Sequence, residues 1–159
     1  MSNGINIAEQ CHVINALGPI DVGGVAKVSD YFSLRNHAHA SIIVITGVVG
    51  NAPTITLYEA TTAGPGAETA IAFAYYLEST AAGDTLATRT AATNAGISMG
   101  AANGTTLVIE IDASVLTDTY DYLAIKTSAA AACLIGAVAI LSGSRYTGDP
   151  AKEAISAIT

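Results

Sequence analysis

The sequence predicts an all-β domain, an antiparallel β-sandwich or jelly-roll-like barrel with little helix. Three observations carry this. Short apolar or alternating segments recur between Gly, Pro, Asn, Asp and Thr breakers, the spacing of sandwiches and barrels. The run Ile42-Ile43-Val44-Ile45 is β-branched throughout, as in a strand buried on both faces. No stretch sustains helical periodicity over the length a stable helix needs.

Taken in order, His12 to Leu17 reads as a strand stopped by Gly18 and Pro19, and Ile20 to Val28 as a second, broken at Gly23 and Gly24. Asp30 to Leu34 and Ser41 to Val49 follow. Thr54 to Ala60 alternates, with Ile55 and Leu57 on one face and Thr54 and Thr56 on the other. Thr61 to Ala67 holds Gly64, Pro65 and Gly66 and reads as a loop. Ala70 to Leu77 places Ile71, Phe73 and Tyr75 on one face, and Ala81 to Asp84 is a turn. Thr85 to Ala92 is a weak strand and Ile97 to Met99 a short one. Asn103-Gly104 is a tight-turn dipeptide introducing Thr105 to Asp112. Asp112 stands where an N-cap would for a helical turn over Ala113 to Asp118, with Leu116 folding back on the core. Tyr120 to Thr127 and Cys133 to Leu141 complete about nine or ten strands by this procedure. The chain reads as one domain over 1–159, with extended arms at 1–10 and 148–159; Ala151 to Thr159 is a short helix or a free arm.

Composition excludes several classes. The chain has 159 residues, enough for one domain with its own core. Hydrophobic residues make up 51% and charged residues 12%, which argues against disorder and leaves little charge to solubilise a surface. The formal net charge is −7, and Lys27, Arg35, Arg89, Lys126, Arg145 and Lys152 are scattered. Direct nucleic-acid binding needs a clustered basic face, so none is expected. The longest apolar run, Ala129 to Leu141, is shorter than the ~20 residues of a membrane helix and suits a fully buried strand. No membrane association and no secretory signal are expected. Cys11 and Cys133 lack CxxC spacing and read as small buried hydrophobes, with a disulfide left open.

No constellation of catalytic type is legible, and neither catalysis nor a cofactor or metal is expected. His37 and His39 share a strand face by spacing and could contribute to a metal site, but a third ligand is not readable; a hydrogen-bonded strand end is the simpler reading. Glu110 and Asp112 share a face of an alternating strand, better read as solvent or interface surface than as a hydrolytic pair. There is no GxSxG elbow, no GxxxxGK[ST] and no GxGxxG. Tyr is the dominant aromatic, with seven Tyr, two Phe and no Trp, which suits interface anchors better than sugar stacking.

Several segments carry a resemblance. Tyr31 to Ile45 (YFSLRNHAHASIIVI), Ala70 to Leu86 with AIAF-Y and TAAGDTL, Val108 to Ser114 (VIEIDAS) and Ala137 to Tyr146 (AVA-LSG-RY) together resemble small virion proteins of tailed bacteriophages. The resemblance spans about three quarters of the chain. It implies a capsid decoration (cement) subunit, made in the host cytoplasm and placed on the capsid exterior, bound to the major capsid protein lattice and forming a homotrimer. It brings no active-site residues. A tail or neck component would look alike. From a different class, a carbohydrate-binding β-sandwich module remains open, as does, more weakly, a small hydrolase with a site built from scattered residues. The candidate interface comprises Ile5, Ile7, Arg35, His37, His39, Arg145 and Tyr146.

Overall fold

In the computed structural model the described residues are 4–78 and 85–145. They form eleven strands: β1 (His12–Asp21), β2 (Phe32–Ser33), β3 (His37–Val49), β4 (Thr54–Ala60), β5 (Glu68–Ile71), β6 (Phe73–Glu78), β7 (Thr90–Ala92), β8 (Ile97–Ser98), β9 (Thr106–Asp112), β10 (Tyr122–Thr127) and β11 (Cys133–Ser144). Helix is limited to α1 (Ile7–Gln10) and one 3₁₀ turn at Ala113–Val115. The predicted sandwich is what forms: one sheet has the order β1-β11-β3-β9-β6-β7, the other β2-β10-β4-β5 with β8 also on β4. Every pairing among the described residues is antiparallel, and neither sheet closes into a barrel.

The core fills from both sheets by strict alternation. Ala40, Ile42 and Val44 of β3, Leu107 and Ile109 of β9, and Ile135, Ala139 and Leu141 of β11 face Ile55 and Leu57 of β4 and Leu123 and Ile125 of β10. Leu116 packs against this cluster, as its position after Asp112 suggests. One stretch links the sheets directly: β5 pairs with β4, and after Ala72 the chain continues as β6 on β9. The single expected strand Ala70 to Leu77 is thus two strands in different sheets. Phe73 is buried, and Ile71 and Tyr75 pack against the same core, so the face shared by these three is kept across the switch.

Several boundaries differ from the sequence expectation. β1 does not stop at Gly18-Pro19; it absorbs them in register shifts between Asn15 and Leu17 and between Leu17 and Ile20, because an edge strand tolerates a missing N–H. Ile20 to Val28 is not a second strand: Gly23 and Gly24 take φ of 54° and 77° and turn the chain, leaving one bridge from Val28 to Lys126. The segments expected over Asp30 to Leu34, Thr85 to Ala92 and Tyr120 to Thr127 shorten to β2, β7 and β10. Asn103-Gly104 does turn, with Gly104 at φ 69° and the Asn103 side-chain Oδ1 accepting the Val49 N–H at 2.7 Å. Part of the expected arm over 1–10 is the single turn α1, which buries no residue. The turn expected over Ala81 to Asp84 and the arm over 148–159 lie outside the described residues. Among the described residues no helix is long and apolar enough to cross a membrane.

Candidate interaction surfaces

Strand register lays out the outer face of the six-stranded sheet row by row. Ser142, His39 and Asp112 form the first row. Val13, Ile140, Ser41, Glu110 and Ala74 form the next. Asn15, Val138, Ile43, Val108 and Tyr76 follow, then Gly136, Ile45, Thr106 and, on β6, Glu78. The face therefore grades from charged to aliphatic along the strands. Val13, in the row of Glu110, is 50% exposed, and below the charged rows Ile45, Leu134 and Val138 are 53, 46 and 38% exposed. This corrects the expectation that β3 and β11 are buried on both faces: the even positions of β3 from Ala40 to Thr46 are buried, but Ile43 is only half-covered and Ile45 is open. Around Gly136, where no side chain fills the row, Leu17, Pro19, Ile43, Ile45, Leu134 and Val138 border an open aliphatic hollow of about 590 Å³.

The charged rows are an ion cluster. Asp112 Oδ1 lies 2.7 Å from His39 Nδ1 and Glu110 Oε2 lies 2.6 Å from Nε2. Partial burial pulls the His39 imidazole down, but the hydrogen bonds to the two carboxylates outweigh it and the net shift is upward. Protonated, the ring donates one N–H to each carboxylate and ties β3 to β9. The order Ser41, His39, Asp112 has the connectivity of a nucleophile relay, yet Ser41 Oγ donates to Glu110 Oε2 at 2.7 Å and stands 3.5 Å from Nε2. Glu110 occupies the position the serine would need. Asp112 does not cap the following turn, because its carboxylate is engaged by His39.

The His37–His39 pair is not one site. His37 is fully buried, its ring centroid 6.2 Å from that of His12, whereas both nitrogens of His39 are held by carboxylates on the outer face. Burial does not alternate regularly at this end of β3, where Ala38 is exposed and Ala40 buried, so the shared face that the spacing argument assumed is not kept. A buried His37 offers no contact surface. Among the described residues no group of three or more His, Cys, Asp or Glu is arranged to hold a metal ion.

Arg35 and Arg145 come together at one end of the sandwich, bordering a polar groove of about 150 Å³ with Thr117, Asp118, Tyr120 and Asp121. Arg35 Nη2 pairs with Asp121 Oδ2 at 2.8 Å, an exposed pair that orders the groove more than it stabilises the fold. Ile5 and Ile7 are 79 and 45% exposed on the N-terminal arm. Tyr146 lies outside the described residues.

Two clusters were not foreseen. On the outer face of the smaller sheet, Glu68 accepts hydrogen bonds from Tyr31 and Lys126, and the Lys126 ammonium sits 4.2 Å from the Tyr58 ring centroid. Burial would raise the Glu68 carboxyl, but the Lys126 and Tyr31 bonds outweigh it and hold it below its ordinary value; burial and Glu68 together push the Tyr31 phenol up. Buried Glu59 accepts the Thr117 N–H at 2.8 Å and its hydroxyl at 2.6 Å, fixing the loop before β10. Both join residues more than 35 positions apart, a separation that local pattern does not report. Cys11 and Cys133 are buried free thiols, and burial raises the Cys133 thiol.

No family model, no curated protein and no solved structure matches the chain.

Proposed function

We propose that the chain is a structural, non-enzymatic virion subunit: a decoration (cement) protein that sits as a homotrimer on the exterior of a tailed-phage head and stabilises the major capsid protein lattice. One observation carries the assembly part of this reading. β3 and β11 are aliphatic on both faces, the pattern of strands covered twice, yet the described residues cover only the inner face. The second cover is supplied by another molecule. The virion part is supported by the segments from Tyr31 to Ile45, Ala70 to Leu86, Val108 to Ser114 and Ala137 to Tyr146 that resemble small phage virion proteins. The test is heat resistance of capsids with and without the protein, because a ligand of the assembled shell alone stabilises it by mass action. Capsids that lose contents at a lower temperature without it support the role; equal stability contradicts it.

A second reading has one specific observation behind it. The groove bordered by Arg35, Arg145, Asp118, Asp121 and Tyr120 combines paired charges with a ring, the chemistry of a carbohydrate subsite. Retention of a monomeric chain on a glycan resin, lost in Tyr120→Ala, favours it over the cement role. A tail or neck component differs from a head protein by where labelled antibody binds the particle.

A further inference from the structure

We propose that the aliphatic hollow on the outer face of the six-stranded sheet is filled by the N-terminal arm of a neighbouring copy of this chain, with Ile5 and Ile7 as the inserted side chains. The inference deepens the assembly reading above and rests on it for the existence of an oligomer. The hollow is bordered by Leu17, Ile43, Ile45, Leu134 and Val138 and stays open in the single chain. With Val13 and Ile140 it belongs to a contiguous exposed aliphatic patch, and the largest such patch on a chain is often functional.

Charge narrows the occupant. The chain carries −7, so two copies repel over most of their surface. Between the His39–Glu110–Asp112 cluster at one end and Asp21 and Glu78 at the other, the only ionisable side chain in the outer rows is the phenol of Tyr76. Copies can meet there without opposing like charges.

Shape narrows it further. A ring of three needs two different complementary patches on each chain, since a head-to-tail contact closes only when one surface meets another. The arm is the second patch. Ile5 and Ile7 stand exposed on a segment whose one helical turn buries nothing, so the isolated chain leaves two large aliphatic side chains in water. The arm joins the sheet at Cys11, directly before the edge strand β1, the edge that an adjacent copy would approach. The hollow is framed by Asn15, Leu17 and Pro19 farther along β1, and its wall is mainly aliphatic. Ordering the arm costs conformational entropy, which desolvation of the two isoleucines and the hollow offsets. The arm and hollow form the centre of the contact, and the strand edges around them supply the rest of the roughly 800 Å² per partner of a standard interface.

The test uses the full chain. Sedimentation velocity is expected to give three times the 16.0 kDa chain mass, falling about threefold in the double variant Ile5→Asp, Ile7→Asp. That variant alters only exposed side chains, so an unchanged circular dichroism spectrum shows that it still folds. Equimolar Ile5→Cys and Val138→Cys chains, mixed and oxidised, are expected to yield a covalent heterodimer, above the background of the two buried native thiols. Val115→Cys, 59% exposed and away from the hollow, replaces Val138→Cys as the control and should yield none. A monomeric wild type, an oligomer untouched by the double variant, or a mixture of Ile5→Cys and Val138→Cys chains that yields no more heterodimer than the Val115→Cys control overturns the proposal. The outcomes separate from those of the cement role. A monomer that still binds capsids overturns the arm contact and leaves that role standing. A cross-linked trimer that ignores capsids overturns the cement role and supports the arm contact.

Discussion

Gly96 is the position where the fold leaves least room, and Gly96→Ala is the perturbation whose size the structure defines best. Its φ is 80°, a left-handed conformation that costs a residue with a Cβ about 1–2 kcal/mol. A Cβ there would also drive into the Ile55 carbonyl oxygen, with the Ile55 carbonyl carbon at 2.9 Å and Thr56 Oγ1 at 3.0 Å. Ile55 is fully buried near the start of β4, so the backbone cannot withdraw without disturbing the core, and overpacking of this kind adds about 1–3 kcal/mol. The expected loss is about 3 kcal/mol, or a fall in Tm of roughly 9 °C for a domain of this size. Gly104→Ala is the internal reference: φ is 69°, but nothing lies within 4 Å of its Cβ, so only the conformational cost of about 1 kcal/mol applies. Urea unfolding of both variants at constant m-value measures the difference. Equal destabilisation would refute the close approach of the 93–96 turn to β4.

Two further outcomes follow from the polar clusters. The folded-state pKa of His39 is raised, so its contribution to stability is fully present below the unfolded value near 6.5 and is lost as pH rises through the folded pKa; His39→Gln should flatten that decline above pH 6.5, and an unchanged pH profile would contradict the ion cluster. Glu59→Ala leaves the Thr117 N–H and hydroxyl without their acceptor and should cost about 1–3 kcal/mol in urea unfolding, with faster proteolysis at 117–121; a neutral effect would show that the loop is held otherwise.

The strands with alternating pattern were legible because a period of two leaves a local trace: Thr54–Ala60 is β4 to the residue, and Thr106–Asp112 is within one residue of expectation. Boundaries failed where tertiary pairing overrode a breaker, as at Gly18-Pro19, where β11 keeps β1 in register across the shifts. The sheet switch at Ala72 left no breaker to read, because the same residues face the core on both sides of it. For the interaction surfaces, composition identified the aliphatic runs of β3 and β11 but assumed that they were covered twice. Which face stays open depends on how many layers the chain can build, a global property. His39 was singled out with His37 by spacing, while its actual partners Glu110 and Asp112 lie across the strand pairing. Their own spacing marked them as one face, so strand pairing would have joined the two observations.

The account turns on whether the protein is a stoichiometric part of a virion. Quantitative mass spectrometry of purified phage particles assembled in cells that express this chain measures that directly. A decoration subunit would be present at a fixed ratio to the major capsid protein, unchanged by further gradient purification. Absence from the particles, or a trace amount that falls with each purification step, would contradict it.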